Sequence, residues 1–87
     1  MTYPVVWLPE AMSAFRRLRA ADSDGAKQVA AAVAALATDP YPSRSTALGG
    51  SGFRRLRLAS YRVLYQVEAD TTTIYIINVG SVPGPRT

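Results

Sequence analysis

The sequence contains neither cysteine nor histidine in its 87 residues. Without cysteine there is no disulfide framework and no thiolate ligand for a metal ion, and without histidine the usual proton carrier at neutral pH is missing. The sequence also lacks any run approaching the roughly 20 apolar residues that a membrane-spanning helix needs. These absences exclude most familiar catalytic and metal sites and imply no cofactor. We expect a cytoplasmic protein without membrane association.

Positive charge is concentrated in the second half of the chain. The net charge is only +4 at pH 7, but no acidic residue occurs between Pro40 and Val67. That segment carries five arginines, namely Arg44, Arg54, Arg55, Arg57 and Arg62. Although a GC-rich genome also enriches arginine, the planar guanidinium group suits bidentate contacts to phosphate. Such a local positive field favours a polyanion or an acidic protein segment as partner.

The first half of the chain has the pattern of one strand followed by two helices. Residues 3–8 are rich in β-forming side chains and predict a strand. Residues 9–20 begin with proline, continue with apolar residues at helical spacing, and predict the first helix. The alanine-rich residues 26–37 predict the second helix, with Asp22 and Asp24 as candidate N-caps.

The second half changes to the period of β-strands. Residues 41–52 are rich in Pro, Ser and Gly and predict an exposed loop. Residues 53–58 and 61–68 alternate in polarity across a short connection, which predicts a hairpin. Residues 73–79 are β-branched and apolar on both faces, which favours an interior strand. Residues 80–87 should form an irregular tail.

The order β-α-α-β-β-β predicts an α+β fold. In it, two N-terminal helices pack on one face of a mostly antiparallel four-stranded sheet. At 87 residues we expect a single domain covering residues 1–87. The sheet face without helices is then available for binding.

Arginines on two neighbouring predicted strands are the candidate site. Side-chain alternation places Arg55 and Arg57 on one face of their strand and Arg54 on the other. Whether Arg62 on the next strand joins Arg55 and Arg57 depends on the hairpin register, which the sequence leaves open. If it does, three guanidinium groups converge on a site of the size of a phosphate. Each arginine could instead be a solvated strand residue or a contact to a protein partner.

Arginines without histidine are compatible with RNA cleavage. The ribose 2′-hydroxyl attacks its own adjacent phosphate, so a protein needs mainly to orient that attack and stabilise the developing charge. Arginine is a poor proton carrier at pH 7, so a general acid or base must come from another group. Tyr61, Tyr65 and Glu68 are candidates in this chain, as is the ribosome, although the two tyrosines are also expected as packing residues.

Three stretches, which together reach from Tyr3 to Gly80, resemble a known family. They are the opening strand and helix (YPVVWLPEAMSAFRRL), the helix that ends in a proline-containing turn (LATDPYPSRSTALGG), and the strands FRRLRLASYRVLYQVE and TIYIINVG. The combination of SYRVLYQVE with IYIINVG is the most specific feature, because alternating strands alone are common. On these stretches the chain resembles toxins of the RelE/ParE superfamily from type II toxin–antitoxin systems.

The resemblance implies a RelE-like fold of the microbial ribonuclease type and a ribosome-dependent endoribonuclease. Such a toxin cleaves messenger RNA in the ribosomal A site and is neutralised by a RelB-like antitoxin. On this basis Arg55, Arg57 and Arg62 correspond to the family's catalytic strand residues. We further predict that Arg44, Arg54 and Arg86 bind RNA. These six predicted site residues are Arg44, Arg54, Arg55, Arg57, Arg62 and Arg86.

The chain departs from the family pattern in its tail. Family nucleases tend to carry an arginine just after the final Val-Gly and a tyrosine a few residues further on, and both contribute to catalysis. Here Val82 occupies the arginine position, and no tyrosine follows Tyr75. Because losing one preorganised charge donor typically costs a factor of ~10²–10³ in rate, the sequence leaves enzymatic activity open. Arg86 is a candidate substitute.

Two alternatives to a nuclease follow from the same resemblance. ParE-like members inhibit DNA gyrase by binding it, which fits the altered tail better and the retained strand arginines worse. A catalytically weakened homologue could still bind its antitoxin. All three hypotheses predict a heteromeric complex with an acidic, partly disordered antitoxin. They also predict contact with operator DNA only through that antitoxin. The nuclease hypothesis adds the ribosome and messenger RNA as partners.

Overall fold

The computed structural model describes residues 2–81 of the chain. The elements in chain order are β1 (Val5–Trp7), α1 (Pro9–Ala21), α2 (Ser23–Leu36), β2 (Ser45–Ala47), β3 (Phe53–Arg57), β4 (Tyr61–Glu68) and β5 (Thr73–Ser81). All the helices and strands that the sequence pattern predicts are present, and β2 is additional. The predicted irregular tail of residues 80–87 is wrong for Gly80 and Ser81, which belong to β5, and its residues 82–87 lie outside the described residues. No helix within residues 2–81 is both long enough and apolar enough to cross a membrane.

The five strands form one sheet in the order β1-β5-β4-β3-β2. β1 runs parallel to β5, and the other three pairings are antiparallel. Both helices pack on the same face of the sheet, through contacts of α1 with β5 and of α2 with β1 and β4. The predicted α+β fold, with two helices on one face of a mostly antiparallel sheet, is confirmed. The predicted number of four strands is wrong, because the sheet has five.

The additional strand β2 lies inside the segment that was predicted to be a loop. It pairs with β3, with Ser45 opposite Leu56 and Ala47 opposite Arg54. Its ends are held by backbone hydrogen bonds, from the Ser45 N–H to the Pro42 carbonyl and from the Leu48 N–H to the β3 backbone. Three residues are too few to show the alternation of polar and apolar side chains that predicts a strand. The formation of β2 therefore depends on its pairing with β3 rather than on its own composition.

Helix α2 begins at Ser23, three residues earlier than predicted. Asp22 is its N-cap, and the Asp22 carboxylate accepts a hydrogen bond from the Gly25 N–H at 3.0 Å. This cap satisfies one of the N–H groups that the first helical turn leaves without a partner. The helix can therefore start directly after Asp22, although its first residues are polar or small.

The core lies between the helices and the sheet. It is built from small aliphatic side chains of α1 and α2 facing larger ones of the strands. The buried members are Ala11, Ala14, Val29, Val33, Leu36, Leu56, Leu58, Val63, Tyr65, Val67, Ile74, Ile76 and Val79. The alternation of buried residues in β4 turns the neighbouring side chains, including that of Arg62, to the sheet face that carries no helix.

Strand β5 contains a bulge that changes which side chains face the core. Ile74 and Ile76 are buried at a spacing of two, but the next buried residue is Val79, three positions later. The register shifts at the same place, since Tyr65 pairs with Ile76 and its neighbour Leu64 pairs with Asn78. The one-residue insertion therefore turns Asn78 away from the core, where simple alternation would have buried it.

Candidate functional site

The hairpin register decides the question that the sequence left open. Arg57 pairs with Arg62 and Arg55 pairs with Leu64 across the β3–β4 ladder. Because directly paired residues project to the same side of a sheet, all three arginines lie on one face. That face is opposite to the one covered by the helices. Arg55 and Arg57 are exposed, and Arg62 is partly buried.

Two of these arginines line a common depression, which we call the arginine hollow. It has a volume of about 260 Å³ and lies over β3, β4 and the end of β5. Its lining residues are Leu48, Arg55, Arg62, Leu64, Asn78 and Gly80. Arg57 is not part of the lining and stands beside the hollow as the cross-strand partner of Arg62. The arginine hollow is thus shallow and is lined by both apolar side chains and arginines.

Arg57 and Arg62 are two residues of like charge at directly paired positions of β3 and β4. The Arg57 N–H donates to the Arg44 carbonyl at 3.0 Å, toward β2. Arg57 and Arg62 are therefore a non-hydrogen-bonded pair in the β3–β4 ladder, the type in which side chains approach more closely. Like charges directly opposite each other destabilise a sheet. An anion bound between them would offset that repulsion.

Hydrogen bonds within the hairpin hold the Arg62 guanidinium group. Its Nη1 donates to the carbonyls of Leu58 and Tyr61, each at 3.1 Å. These two bonds use both N–H groups of Nη1. The remaining edge, formed by Nε and Nη2, is one of the edges with which arginine makes bidentate contacts to phosphate. The hairpin turn thus fixes the orientation of Arg62 without using its phosphate-binding edge.

The other predicted RNA-binding residues are not brought to the arginine hollow. Arg54 lies on the helix side of β3, where Nε and Nη2 donate to Ser45 Oγ at 3.0 and 2.8 Å. Its guanidinium carbon stands 5.1 Å from the centre of the Tyr41 ring, a cation–π contact. Arg44 is exposed and lines depressions between α2 and the β-strands. Arg86 lies outside the described residues.

None of the three acid–base candidates lines the arginine hollow. Tyr65 is fully buried, and its hydroxyl donates to the Pro40 carbonyl at 2.7 Å. The Tyr61 hydroxyl donates to the Asp22 carboxylate at 2.5 Å, on the helix side of the sheet. Glu68 pairs with Thr73 at the end of β4 that is far from Arg62.

The bond between Tyr61 and Asp22 shifts the pKa of both groups. Chiefly by donating to the carboxylate, Tyr61 lowers the pKa of Asp22 below its ordinary value, and the Gly25 N–H acts in the same direction. The same hydrogen bond raises the pKa of Tyr61, with burial and the negative charge of Asp22 as lesser causes. The hydrogen bond therefore favours a neutral Tyr61 beside a charged Asp22. A neutral tyrosine is a poor general base.

Sequence reasoning missed Asn78 as a site residue. Its place in the arginine hollow follows from the β5 bulge. A signal was present, because Asn78 is the one polar residue within the apolar run of residues 74–79 and is in phase with the buried Ile74 and Ile76. A polar residue at a position that strand alternation would bury predicts either a buried hydrogen bond or a break in the alternation.

A second depression lies on the opposite side of the molecule from the arginine hollow. It is apolar, measures about 320 Å³, and is formed where β1 meets both helices. Its lining residues are Val5, Trp7, Met12, Phe15, Ala30, Val33 and Ala34. The rings of Trp7 and Phe15 pack with their centroids 5.1 Å apart. β1 is an edge strand of the sheet, and Val6 on it is 40% exposed.

Solved toxin structures share this architecture. The isolated E. coli RelE toxin superimposes with a TM-score of 0.81 at 20% identity, over 95% of this chain and 87% of that one. RelE in the RelE–RelB complex from Pyrococcus horikoshii OT3 gives 0.80 at 25% identity, over 93% and 96%. A YoeB/ParE toxin from Agrobacterium tumefaciens gives 0.77 at 15% identity, over 92% and 99%. The comparison with curated proteins found no match.

A family model extends the likeness from fold to sequence. The model for the ParE toxin of the type II toxin–antitoxin system, parDE, matches residues 5–82. The match runs from β1 past the end of β5 and therefore includes every element described above. The chain consequently belongs to the RelE/ParE superfamily of type II toxin–antitoxin toxins.

Proposed function

We propose that this toxin cleaves messenger RNA on the ribosome. The observation that carries the proposal is the convergence of Arg55 and Arg62 on one hollow, with Arg57 paired to Arg62. These are the three residues that the resemblance to RelE assigns to catalysis. A site that acts on ribosome-bound message works in the cytoplasm.

The proposed reaction is transesterification at one phosphate of the message. The ribose 2′-oxygen forms a bond to phosphorus, and the bond from phosphorus to the 5′-oxygen of the next nucleotide breaks. The products are a 2′,3′-cyclic phosphate and a free 5′-hydroxyl. The bidentate edge of Arg62 and the guanidinium group of Arg55 stabilise the charge that develops on the phosphate oxygens. We assign the proton transfers to groups of the ribosome.

In this proposal the other arginines contact RNA outside the hollow. Arg57 adds a second positive charge at the position paired with Arg62 on the neighbouring strand, where it attracts the RNA backbone. For Arg44, Arg54 and Arg86, RNA binding stays a prediction. Arg44 is exposed, whereas Arg54 already makes hydrogen bonds to Ser45.

The test of the proposal is translation-coupled cleavage. Purified toxin is added to ribosomes programmed with a defined message, and breaks are mapped by primer extension. We expect breaks at defined codon positions with the wild type and none with Arg62→Ala, because that change removes the anchored charge. Arg16→Ala, an exposed arginine on α1, is the matched control and should cleave like the wild type. Intact message at a high concentration of wild-type toxin would reject the proposal.

Gyrase inhibition is the second candidate, and one observation favours it. The matching family model is described as a ParE toxin, and ParE-like members are the gyrase inhibitors of the superfamily. Val82 at the position of the family's arginine agrees with this alternative. A supercoiling assay with purified gyrase discriminates, since the nuclease proposal expects full supercoiling activity in the presence of the toxin.

We further propose an antitoxin as the partner of this chain. The support comes from related structures that are toxin–antitoxin complexes, namely RelE–RelB from P. horikoshii and RelBE from E. coli. The surface here offers a cationic face and an apolar depression, which suit an acidic segment with apolar anchors. The neighbouring gene product should co-purify with the toxin. A toxin that is monodisperse and stable alone, and that binds no neighbouring product, would contradict this.

A further inference from the structure

The β5 bulge determines which side chains face the arginine hollow as well as which face the core. Alternation from Ile74 and Ile76 would point residue 78 inward, where an amide without hydrogen-bond partners destabilises the fold. The inserted residue sends Asn78 to the face of the hollow and returns Val79 to the core. Bulges often re-aim a side chain next to an active site.

The orientation of the Asn78 amide group is determined by its own backbone. Asn78 Oδ1 accepts a hydrogen bond from the Val79 N–H at 2.9 Å. An N–H donor can only be met by the oxygen, so the amide nitrogen Nδ2 occupies the other branch of the group, with two N–H donors. Asn78 is exposed and lines the hollow together with Arg55 and Arg62. It therefore adds a neutral, oriented donor to two cationic ones.

We propose that Asn78 contacts the RNA directly, by donating from Nδ2 to a non-bridging oxygen of the phosphate held by Arg62. This inference rests on the proposed nuclease function. A neutral amide adds a hydrogen bond at a defined angle without adding a third charge to a hollow that already holds two. Asn78 is then a substrate-binding residue whose contact strengthens as the phosphate gains charge in the transition state.

A structural role for Asn78 is the alternative that a test must separate. The Oδ1 contact to the Val79 N–H also satisfies a backbone group at the bulge. Asn78→Asp keeps an acceptor for that N–H, but replaces the donor by a carboxylate that repels phosphate. Asn78→Ala removes both the acceptor and the donor without adding charge. Asn78→Asp therefore keeps the bulge contact and Asn78→Ala removes it, whereas both variants remove the donor to RNA.

The experiment measures kcat and KM for cleavage on programmed ribosomes. We expect kcat to fall about tenfold in Asn78→Ala and about a hundredfold in Asn78→Asp, with KM changed less than threefold. Gln66→Glu is the matched control. It makes the same amide-to-carboxylate change on the same sheet face, but Gln66 donates to the Ser51 carbonyl and does not line the hollow. This control should stay within threefold of the wild type.

Each pattern of results has one meaning. Loss of activity in Asn78→Ala with normal activity in Asn78→Asp would assign Asn78 to the bulge alone and overturn the inference. Loss only in Asn78→Asp would reveal a charge effect and overturn it as well. Wild-type toxin that leaves message intact overturns the nuclease proposal together with the inference, whereas active wild type with two active variants overturns only the inference. Urea unfolding of each variant identifies losses that come from misfolding.

Discussion

At the scale of single residues, the candidate site carries an electrostatic cost. Arg57 and Arg62 stand opposite each other in the close type of cross-strand pair. No carboxylate occurs in the chain between residues 40 and 67. The fold thus holds two positive charges together without an acidic neighbour in sequence. Functional sites commonly retain such unfavourable arrangements because the ligand compensates them.

Replacing one member of this pair should stabilise the toxin. For Arg57→Gln we expect the free energy of unfolding to rise by about 0.2–1 kcal/mol at low salt, because the like-charge repulsion is removed. Urea unfolding at 20 mM and at about 1 M salt measures it, and the gain should vanish at high salt, where the screening length is about 3 Å. Arg16→Gln, on the exposed side of α1, should change stability little at either salt concentration. A stability loss in Arg57→Gln would show that its side chain is held by attractive contacts.

At the scale of elements, one side-chain bond joins the helices to the hairpin. The Asp22 carboxylate caps α2 through the Gly25 N–H and accepts from the Tyr61 hydroxyl at the start of β4. A Cβ at residue 25 would come within 2.7 Å of the Tyr61 ring, so a larger residue than Gly25 would displace this contact. Tyr61 also supplies one of the carbonyls that hold Arg62. The cap of a helix is therefore linked to the orientation of a site residue.

This link predicts how stability depends on pH. Tyr61 has a raised pKa in the folded state, so its contribution is complete below the ordinary value of 10.0 and is lost as pH rises through the folded value. Asp22 has a lowered pKa, so its contribution is present above the ordinary value of 3.8 and is lost as pH falls through the folded value. The difference in free energy of unfolding between wild type and Tyr61→Phe should therefore be constant at intermediate pH and shrink at both extremes.

Urea unfolding across the pH range measures this difference. Tyr41→Phe is the control, because Tyr41 is exposed and stacks under Arg54 without taking part in the pair. The difference between wild type and Tyr41→Phe should not shrink at acidic pH. A difference for Tyr61→Phe that does not vary with pH would mean that the hydroxyl contributes nothing through Asp22.

At the scale of the whole molecule, the arginine hollow and the apolar depression lie on different sides of the sheet. The cationic hollow lies on the open face of the sheet, and the apolar depression lies where β1 meets the two helices. The open face therefore offers a cationic hollow, while the side of the helices offers apolar area to a protein. If the proposed function is correct, an antitoxin can bind the apolar depression while its acidic residues compete with RNA for the arginines.

The positive charge of the open sheet face should make the affinity for RNA depend on the salt concentration. For a single-stranded oligonucleotide, the slope of log K against log salt is about −0.7 per neutralised phosphate. We expect Arg55→Gln to make the slope shallower by about 0.7, because one phosphate contact is lost. Fluorescence anisotropy between 50 and 300 mM salt measures it. Arg16→Gln should retain the wild-type slope, and an equal change in both variants would mean that binding is spread over the whole surface.

The sequence alone predicted the family, both helices and every strand except β2. Propensity and periodicity are local properties, so they predicted both helices, the long strands and the separation of Arg55 and Arg57 from Arg54. The lack of histidine and cysteine likewise led to the prediction, still untested, that the arginines act by charge stabilisation. The tertiary structure decided three further points, which are the pairing of Arg62 with Arg57, the strand β2, and the outward turn of Asn78. Each depends on the register between paired strands, which propensity and periodicity within one strand do not fix and which is settled by the packing of the sheet against the helices.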